Sequence, residues 1–500
     1  MMAISQSIHR NCRLSELLEG YARIPPDLDR PVRELRLNSR RVDAGDVFFA
    51  MPGARSDGRD YIDQAVERKA AAVVYEKTGA RDTPDRMSEI PLLAIEGLRD
   101  ALGHIASRFF GFPSRRIRVV GVTGTNGKTT VAYLVAQALD RLGMPCAYLG
   151  TIGSGRVGAL RQSDLTTTDS ITLQNALADA VEGEIPALAM EVSSHGLDQG
   201  RVNGVEFQIG IFTNLTREHL DYHGTMQQYG LAKRKLFECP SLAAVVVNTD
   251  DAFGREIVRF CRANASIRCF TYGLDDSAQL CPDNVELRHD GTSFDLGIEG
   301  NRIRLESTLI GRVNLGNLLA ATGALLAFGI PPGRIAEAFR EMRPPPGRMD
   351  LLRGHGESPA VVVDFAHSPD ALEHALSSLR ELCRGNLVAV FGCGGERDPG
   401  KRPAMGAVAE RHADSVILTN DNPRGELPGR IIADIARGMQ SPPQICPDRE
   451  AAIRLAIESS GRGDMVLVAG KGHERQQIVG DDVFDFDDRQ TVLKLLGTVS

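Results

Sequence analysis

Residues 117–130 read IRVVGVTGTNGKTT, an apolar β-branched run that breaks into a glycine-rich turn ending in Lys-Thr-Thr. This stretch constrains the fold more than any other. Ile117, Val119, Val120 and Val122 predict a buried strand, and VAYLVAQALDRLG from Val131 predicts a helix. Strand, glycine turn, Lys-Thr and helix together cradle a nucleotide triphosphate, because the N–H groups of the turn and of the helix start face phosphate oxygens. Gly124, Thr125, Asn126, Gly127, Lys128, Thr129 and Thr130 then form the ATP loop. Lys128 neutralises the β/γ oxygens and the Thr129 hydroxyl holds Mg²⁺. The usual loop has four residues between its first glycine and Gly-Lys. Here five separate Gly121 from Gly127 and two separate Gly124 from it, so the sequence predicts a variant phosphate loop. The bland alternative is a structural turn.

A chain of 500 residues suggests about three domains at roughly 150 residues each. The net charge of −7 gives no bulk attraction for nucleic acid, although a small anionic substrate needs only a local basic pocket. The nine cysteines form no C-x-x-C pair and stand at no zinc spacing, so reduced thiols in a cytoplasmic protein are expected. No apolar run reaches 18 residues and the first 20 residues carry no apolar core, so neither a membrane span nor a signal peptide is expected.

The fold class expected is α/β in three domains: a small α/β domain over 1–115, a central parallel-sheet ATPase domain over 116–343, and a Rossmann-like domain over 344–500. In the first, DVFFAMPG, AAAVVYE and PLLAIEG alternate with helical stretches, and FFGFPSRR makes a linker. In the second, AYLGTIG, IPALAMEVSSHG, FQIGIFTNLT and LAAVVVNTD predict strands of a parallel sheet with helices on both faces. VELRHDGTSFDLGIEGNRIRLESTLIG alternates around Asp-Gly and Glu-Gly-Asn turns and predicts a hairpin insertion. The helix NLLAATGALLAFG follows it. RPPPGRMD, 343–350, is a stiff connector. Beyond it AVVVDFAH, NLVAVFGCGG, SVILTNDNP and DMVLVAG predict four strands of a doubly wound domain.

Ligands of open α/β sheets bind beyond the carboxyl ends of the strands. Glu191 ends one such run, where a carboxylate without a partner is costly; a metal ion or a lysine would relieve it. The next run delivers Asn214, Thr216, His219, Asp221 and His223, either to orient phosphate and metal-bound water or as a solvated turn. GCGGERDPGKRP carries Arg397 and Lys401 on a glycine-rich loop suited to an anion. NDNPR presents Asp421, Asn422, Pro423 and Arg424 in one turn. The acid suits an ammonium and Arg424 a carboxylate in bidentate fashion, as in a zwitterionic amino acid. AGKGHE repeats the theme with Gly470, His473 and Glu474.

GTNGKTT, MEVSSHGL, TNLTREHLDYHG, GRVNLGNLLAA, GRMD, DFAHSPDAL, GCGGERD, DNPR and AGKGHE occur in the order found in the Mur ligases of peptidoglycan synthesis, which the chain resembles over its whole length. DNPR looks like the signature of the members that add meso-diaminopimelate rather than L-lysine. The resemblance implies an acid–amino-acid ligase of three domains that bind UDP-sugar, ATP and amino acid, acting as a monomer. It places Mg²⁺ on Thr129, Glu191 and Lys233, the last as a carbamate. The sequence by itself makes Lys233 a surface helix lysine no better than Lys235. His219 matches a histidine near the γ-phosphate. Asn314 and Asn317 match adenine-side positions, and Arg348, Asp364 and His367 surround the nucleotide. For the UDP-MurNAc-dipeptide the match carries Leu37, Ser39, Thr166, Thr167, Ser193, Gln199 and Arg201. For diaminopimelate it carries Arg397, Asp421 to Arg424, Gly470 and Glu474. The chain departs from the family pattern at Ala54-Arg55-Ser56, Leu165, Phe365 and Glu396. Within the superfamily the alternatives are an L-lysine-adding ligase and a folylpolyglutamate synthase. Outside it the alternative is a non-catalytic nucleotide-binding scaffold.

Overall fold

The computed structural model describes residues 12–53, 56–77, 90–162, 165–298 and 300–498. Ala54 and Arg55, two of the departures noted above, lie outside the described residues, as does most of the leading 20-residue stretch.

Three α/β units follow one another. The first is a four-stranded parallel sheet in sequence order, β1 (Leu35–Arg36), β2 (Val47–Ala50), β3 (Ala72–Glu76) and β4 (Leu92–Ile95). Helix α1 (Leu98–Phe109) covers one face, burying Leu98, Leu102, Ile105 and Phe109 at helical spacing.

The central sheet has seven strands: β5 (Arg118–Thr123), β6 (Cys146–Gly150), β7 (Gly153–Arg156), β8 (Ala187–Glu191), β9 (Ile209–Phe212), β10 (Ala244–Asn248) and β11 (Arg268–Tyr272). Their order is β11-β10-β9-β5-β8-β6-β7, all parallel except the edge strand β7. In β5, Val120 and Val122 enter the core on one face, while Val119 and, just before the strand, Ile117 enter the core on the other, so the run is buried on both sides. Helix α2 (Lys128–Arg141) returns over the first of these faces. It begins three residues before the predicted start at Val131, so Lys128 and Thr129 stand in its first turn. The predicted hairpin insertion is a three-stranded antiparallel sheet, β12 (Pro282–Arg288), β13 (Gly291–Ile298) and β14 (Asn301–Ser307). It drives Phe294, Leu296, Ile298 and Leu305 into the same core. The helix after it, α3 (Arg312–Ala327), starts five residues before the predicted Asn317. The start of α2 escaped the apolar pattern because its first turn, Lys128-Thr129-Thr130, is polar.

The third unit has six strands: β15 (Asp350–Arg353), β16 (Ala360–Asp364), β17 (Leu387–Phe391), β18 (Ser415–Leu418), β19 (Gln444–Ile445) and β20 (Met465–Ala469). The order is β15-β16-β20-β17-β18-β19, with only β15 antiparallel. The four predicted strands form its middle. The two edge strands were missed: β19 has only two residues, and β15 continues directly from the connector motif that ends in Asp350. The connector is locked to this unit. Gly347 (φ +68°) lies backbone to backbone on Gly472, and a Cβ at Gly347 would sit 2.1 Å from the Gly472 carbonyl carbon. All nine cysteines are free thiols, and no described helix is long and apolar enough to cross a membrane.

Candidate active site

The loop between β5 and α2 turns on Gly127, which caps the helix at φ +85°. A Cβ there would lie 2.8 Å from Asn317 Oδ1 on α3, so the position demands glycine twice over. The Lys128 ammonium folds back onto its own loop, donating to the carbonyls of Gly124 (3.0 Å) and Thr125 (2.6 Å). Burial lowers its pKa while Glu218 and Glu191 pull it the other way. Thr125 is bracketed by the strand-end residues of β9. Its N–H donates to Asn214 O (2.8 Å), and its hydroxyl accepts from the Thr216 N–H (3.0 Å).

Thr129 Oγ1 donates to Glu191 Oε2 at 2.9 Å. Glu191 is 1% exposed, and neither a lysine nor a metal was needed to satisfy it. Its carboxylate also accepts from the Tyr148 hydroxyl, the Thr151 N–H (2.8 Å) and the Thr151 hydroxyl (3.1 Å). Tyr148 and Thr151 went unnoticed in the sequence; a Tyr inside an apolar strand gives no polar signal. Among the described residues no three His, Cys, Asp or Glu side chains gather into a metal cluster. A cation at Thr129 and Glu191 would therefore complete its shell with phosphate oxygens and water. That donor set of hard oxygens, one carboxylate and one hydroxyl, fits Mg²⁺.

The reading of Lys233 as a surface lysine is corrected. On helix α4 (Met226–Arg234) its side chain turns inward and is 1% exposed. Lys235, one residue past the helix, is exposed and pairs with Asp198. Lys233 Nζ donates to Gly124 O (2.6 Å), the same oxygen that accepts from Lys128, and sits 4.2 Å from the Tyr229 ring centroid. Burial, and secondarily the charge of Lys128, hold its amine well below the ordinary lysine range. Beside it His219 (φ +56°) stacks edge-on with His195 at 4.8 Å, and His195 meets Tyr222 and His223. Burial lowers the pKa of both His195 and His219. His223 bonds Ser194 Oγ (3.0 Å), whereas Asp221 is exposed. The turn is therefore an organised imidazole cluster on one side and a solvated turn on the other.

Asn317 Nδ2 donates to Asn314 Oδ1 (3.0 Å), and Asn314 Nδ2 to Ile310 O (2.9 Å), a buried amide pair against the phosphate loop. From the connector, Arg348 reaches Thr129 Oγ1 (3.3 Å) and stacks over Phe365 at 4.3 Å, leaving its buried Nε without a partner among the described residues. Asp364 accepts from the N–H groups of Met349 (2.7 Å) and Ala366 (2.8 Å), and burial raises its pKa. His367 Nε2 stands 3.8 Å from Glu218, which also lies 3.7 Å from His219.

Five of the expected dipeptide-side residues form one network. Thr167 Oγ1 donates to Glu191 O (3.0 Å) and accepts from the Ser193 N–H (3.0 Å). Arg201 donates to Thr167 O (2.8 Å) and Gln199 Oε1 (2.6 Å). Thr166 joins through Thr151 Oγ1 (3.0 Å). Leu37 and Ser39 belong to the first unit instead: Leu37 packs on its core, and Ser39 Oγ bonds Gln64 Oε1 (2.6 Å).

A cavity of about 1300 Å³ opens between the central and third units. Thr151, Leu165 and Thr166 line one side, and Asn422, Arg424, His473 and Glu474 the other. Arg424 (φ +50°) donates through Nη1 to Gly395 O (2.9 Å) and Asn422 O (3.4 Å). Among the described residues the rest of its guanidinium is unengaged and can take a carboxylate. Two of the residues expected to read the amino acid lie off this lining. Asp421 does not line the cavity; it is 8% exposed and its carboxylate accepts from the Asn422 N–H (2.6 Å), with Gly470 packed against it. The acid facing the cavity is Glu474, which accepts from Asn422 Nδ2 (2.8 Å). Arg397 is exposed and outside the lining. Lys471, not singled out from the sequence, is fully buried and donates to Asn422 Oδ1 (3.2 Å) and Gln476 O (2.5 Å).

A variant phosphate loop looking across a cleft at an amide–guanidinium–carboxylate turn is the build of an ATP-using amide-forming enzyme. Residues 31–110 match the model of the Mur ligase family catalytic domain, 122–325 the Mur ligase middle domain and 347–472 the Mur ligase glutamate ligase domain. The chain belongs to the Mur ligase family. It is 47% identical, over 94% of its length and 95% of the relative's, to UDP-N-acetylmuramoyl-L-alanyl-D-glutamate--2,6-diaminopimelate ligase of Pseudomonas putida. A solved structure of a ligase of that name is 33% identical and superposes with a TM-score of 0.72, covering 97% of this chain and 99% of its own. The MurF ligase of Thermotoga maritima in complex with ADP, 18% identical, shares the fold with a TM-score of 0.64 over 95% of this chain and 98% of its own.

Proposed function

We propose that the chain joins meso-2,6-diaminopimelate to the D-glutamate γ-carboxylate of UDP-MurNAc-L-Ala-D-Glu, with ATP cleaved to ADP and phosphate, in peptidoglycan precursor synthesis. The observation that carries this reading is the cavity itself: dipeptide-side Thr166 and acceptor-side Asn422, Arg424 and Glu474 share it. Thr151 in its wall also binds the carboxylate of Glu191 beside the phosphate loop. A carboxylate is a poor acyl donor. Transfer of the γ-phosphoryl group to its oxygen expels ADP and leaves an acyl phosphate. The acceptor amine attacks the acyl carbon, loses its proton, and phosphate leaves. The work left to the protein is positioning and charge neutralisation.

Lys128 leaves the Gly124 and Thr125 carbonyls for the β/γ oxygens, Arg348 approaches the transferring group, and Asn314 and Asn317 flank the adenine side. Thr129 and Glu191 hold Mg²⁺, with Lys233 as a carbamate. That chemistry suits a buried amine of lowered pKa, because the neutral form is the one that adds CO₂. The metal supplies charge neutralisation at the phosphates. Arg424 takes a carboxylate of the acceptor and Glu474 an ammonium. Leu37 and Ser39 take the distal, uridine end of the substrate. The functional boundaries are 1–115 for the UDP-sugar, 116–343 for ATP and 344–500 for the amino acid, in a cytoplasmic monomer.

Phosphate release from ATP, measured with the UDP-MurNAc-dipeptide and each candidate amino acid, tests the reading. Release with diaminopimelate is expected. Release with L-lysine but not with diaminopimelate overturns the acceptor, and failure of every acceptor to support release overturns catalysis in favour of a scaffold.

A further inference from the structure

The third unit meets the phosphate loop through one side chain of the DFAHSPDAL stretch to which no role has been given above. Helix α5 (Pro369–Arg380) is capped by Ser368, whose Oγ accepts from the Ala371 N–H (3.3 Å). Asp370, in its first turn, is therefore not needed as a cap. Its carboxylate points across the cleft instead. Oδ2 accepts from Asn126 Nδ2 of the phosphate loop (2.7 Å) and from Thr216 Oγ1 at the end of β9 (3.0 Å). The other oxygen lies 3.4 Å from His374 of its own helix. Both partners across the cleft are tied into the phosphate loop. Asn126 is fixed by Asn214 Oδ1 at its N–H (2.9 Å), and Thr216 by Thr125.

Of the other links between these units, the Arg312–Glu381 pair lies in solvent, with side chains 53% and 42% exposed. Such pairs contribute little. Asp370 is half-buried and receives two converging hydrogen bonds, each to a charged acceptor and so stronger than a neutral one. The same seating brings Arg348 to Thr129 Oγ1.

We propose that Asp370 is a positioning residue that seats the amine-bearing unit on the phosphate loop, setting the approach of Arg348 and of the acceptor cavity to the γ-phosphate. This deepens the proposed function and rests on it for the identity of the acceptor. The seating itself involves only residues of the chain and can be tested apart from any substrate assignment. Misplacement by an ångström is enough to lower a rate about a hundredfold.

Asp370→Ala is compared with the parent chain by small-angle scattering in ADP and Mg²⁺, by ADP titration, and by acceptor-dependent phosphate release. The variant is expected to show a larger radius of gyration, a kcat at least tenfold lower, and an ADP Kd changed less than threefold. Unchanged scattering together with a kcat within threefold overturns the proposal. So does an ADP Kd that rises by the same factor as kcat falls, since Asp370 would then serve the loop alone. Thr216→Val removes one of the two bonds and is expected to fall between parent and Asp370→Ala. It keeps the test decisive if the first variant does not fold. If no acceptor supports release, scattering alone still decides the seating.

Discussion

Lys233→Met separates what the buried lysine does for folding from what it does for the reaction. The substitution keeps an unbranched apolar stem in a site that is 1% exposed and removes only the amine. The hydrogen bond to Gly124 O is lost, about 0.5–1.5 kcal/mol net. The oxygen is not orphaned, because Lys128 still donates to it at 3.0 Å, so the larger penalty for an unsatisfied buried carbonyl does not arise. Against this loss, the variant escapes the burial of an ionisable amine beside Lys128. The folded pKa of Lys233 is depressed, so the unfolded chain takes up its proton first as pH falls below 10.5. Wild-type stability therefore declines through the window between 10.5 and the folded pKa, and the variant's does not decline for this reason. The expected result at neutral pH is a stability within about 1.5 kcal/mol of wild type, with the difference moving in the variant's favour as pH drops from 10 to 7. Denaturant unfolding across that range measures it. Phosphate release should be nearly abolished in the same variant. In Lys233→Ala, which leaves a gap, a small carboxylic acid should partly restore it. A variant that loses more than about 3 kcal/mol makes Lys233 a structural residue, and one that keeps full activity removes the carbamate from the site.

Arg424→Ala should raise the diaminopimelate KM far more than the ATP KM in steady-state assays; equal effects would take Arg424 out of the acceptor site. Glu191→Gln should fold, with about 2 kcal/mol lost as charge-assisted bonds from Thr129, Tyr148 and Thr151 become neutral ones. Its phosphate release should drop at least a hundredfold, and activity within tenfold would exclude Glu191 as a metal ligand. Gly127→Ala puts a side chain at φ +85° and 2.8 Å from Asn317 Oδ1, so it should lose at least about 1–2 kcal/mol and weaken ADP binding. Unaltered ADP titration would show that the loop does not need that turn.

What the sequence revealed and what it hid follow from range. The β5 run, the glycine turn and the Lys-Thr pair are contiguous, so strand, loop and helix could be read together. The four middle strands of the third unit could be read for the same reason: each is buried on both faces and unbroken. Lys233 lies on α4 and Lys235 just past it, and only the packing of α4 against the phosphate loop decides which of them is buried. Tyr148, Thr151 and Lys471 act through partners 40 or more residues away, and Asp370 through Asn126, 244 residues away. No local pattern marks such residues. Asp421 shows the opposite case. Its neighbours in DNPR do face the cavity, but the turn rotates the acid inward.

The close approach of Gly347 to Gly472 bears on how this family could be recombined. Backbone lies on backbone there, so the stretch after the three prolines and the loop carrying Glu474 form a matched pair that a side chain on either residue would force apart. Chimaeras that exchange the acceptor-reading module between ligases should therefore splice upstream of Pro344, taking both glycines from one parent. A junction placed after Met349 would pair a connector from one lineage with a loop from another, and the graft would succeed only where both donors kept glycine at the two positions.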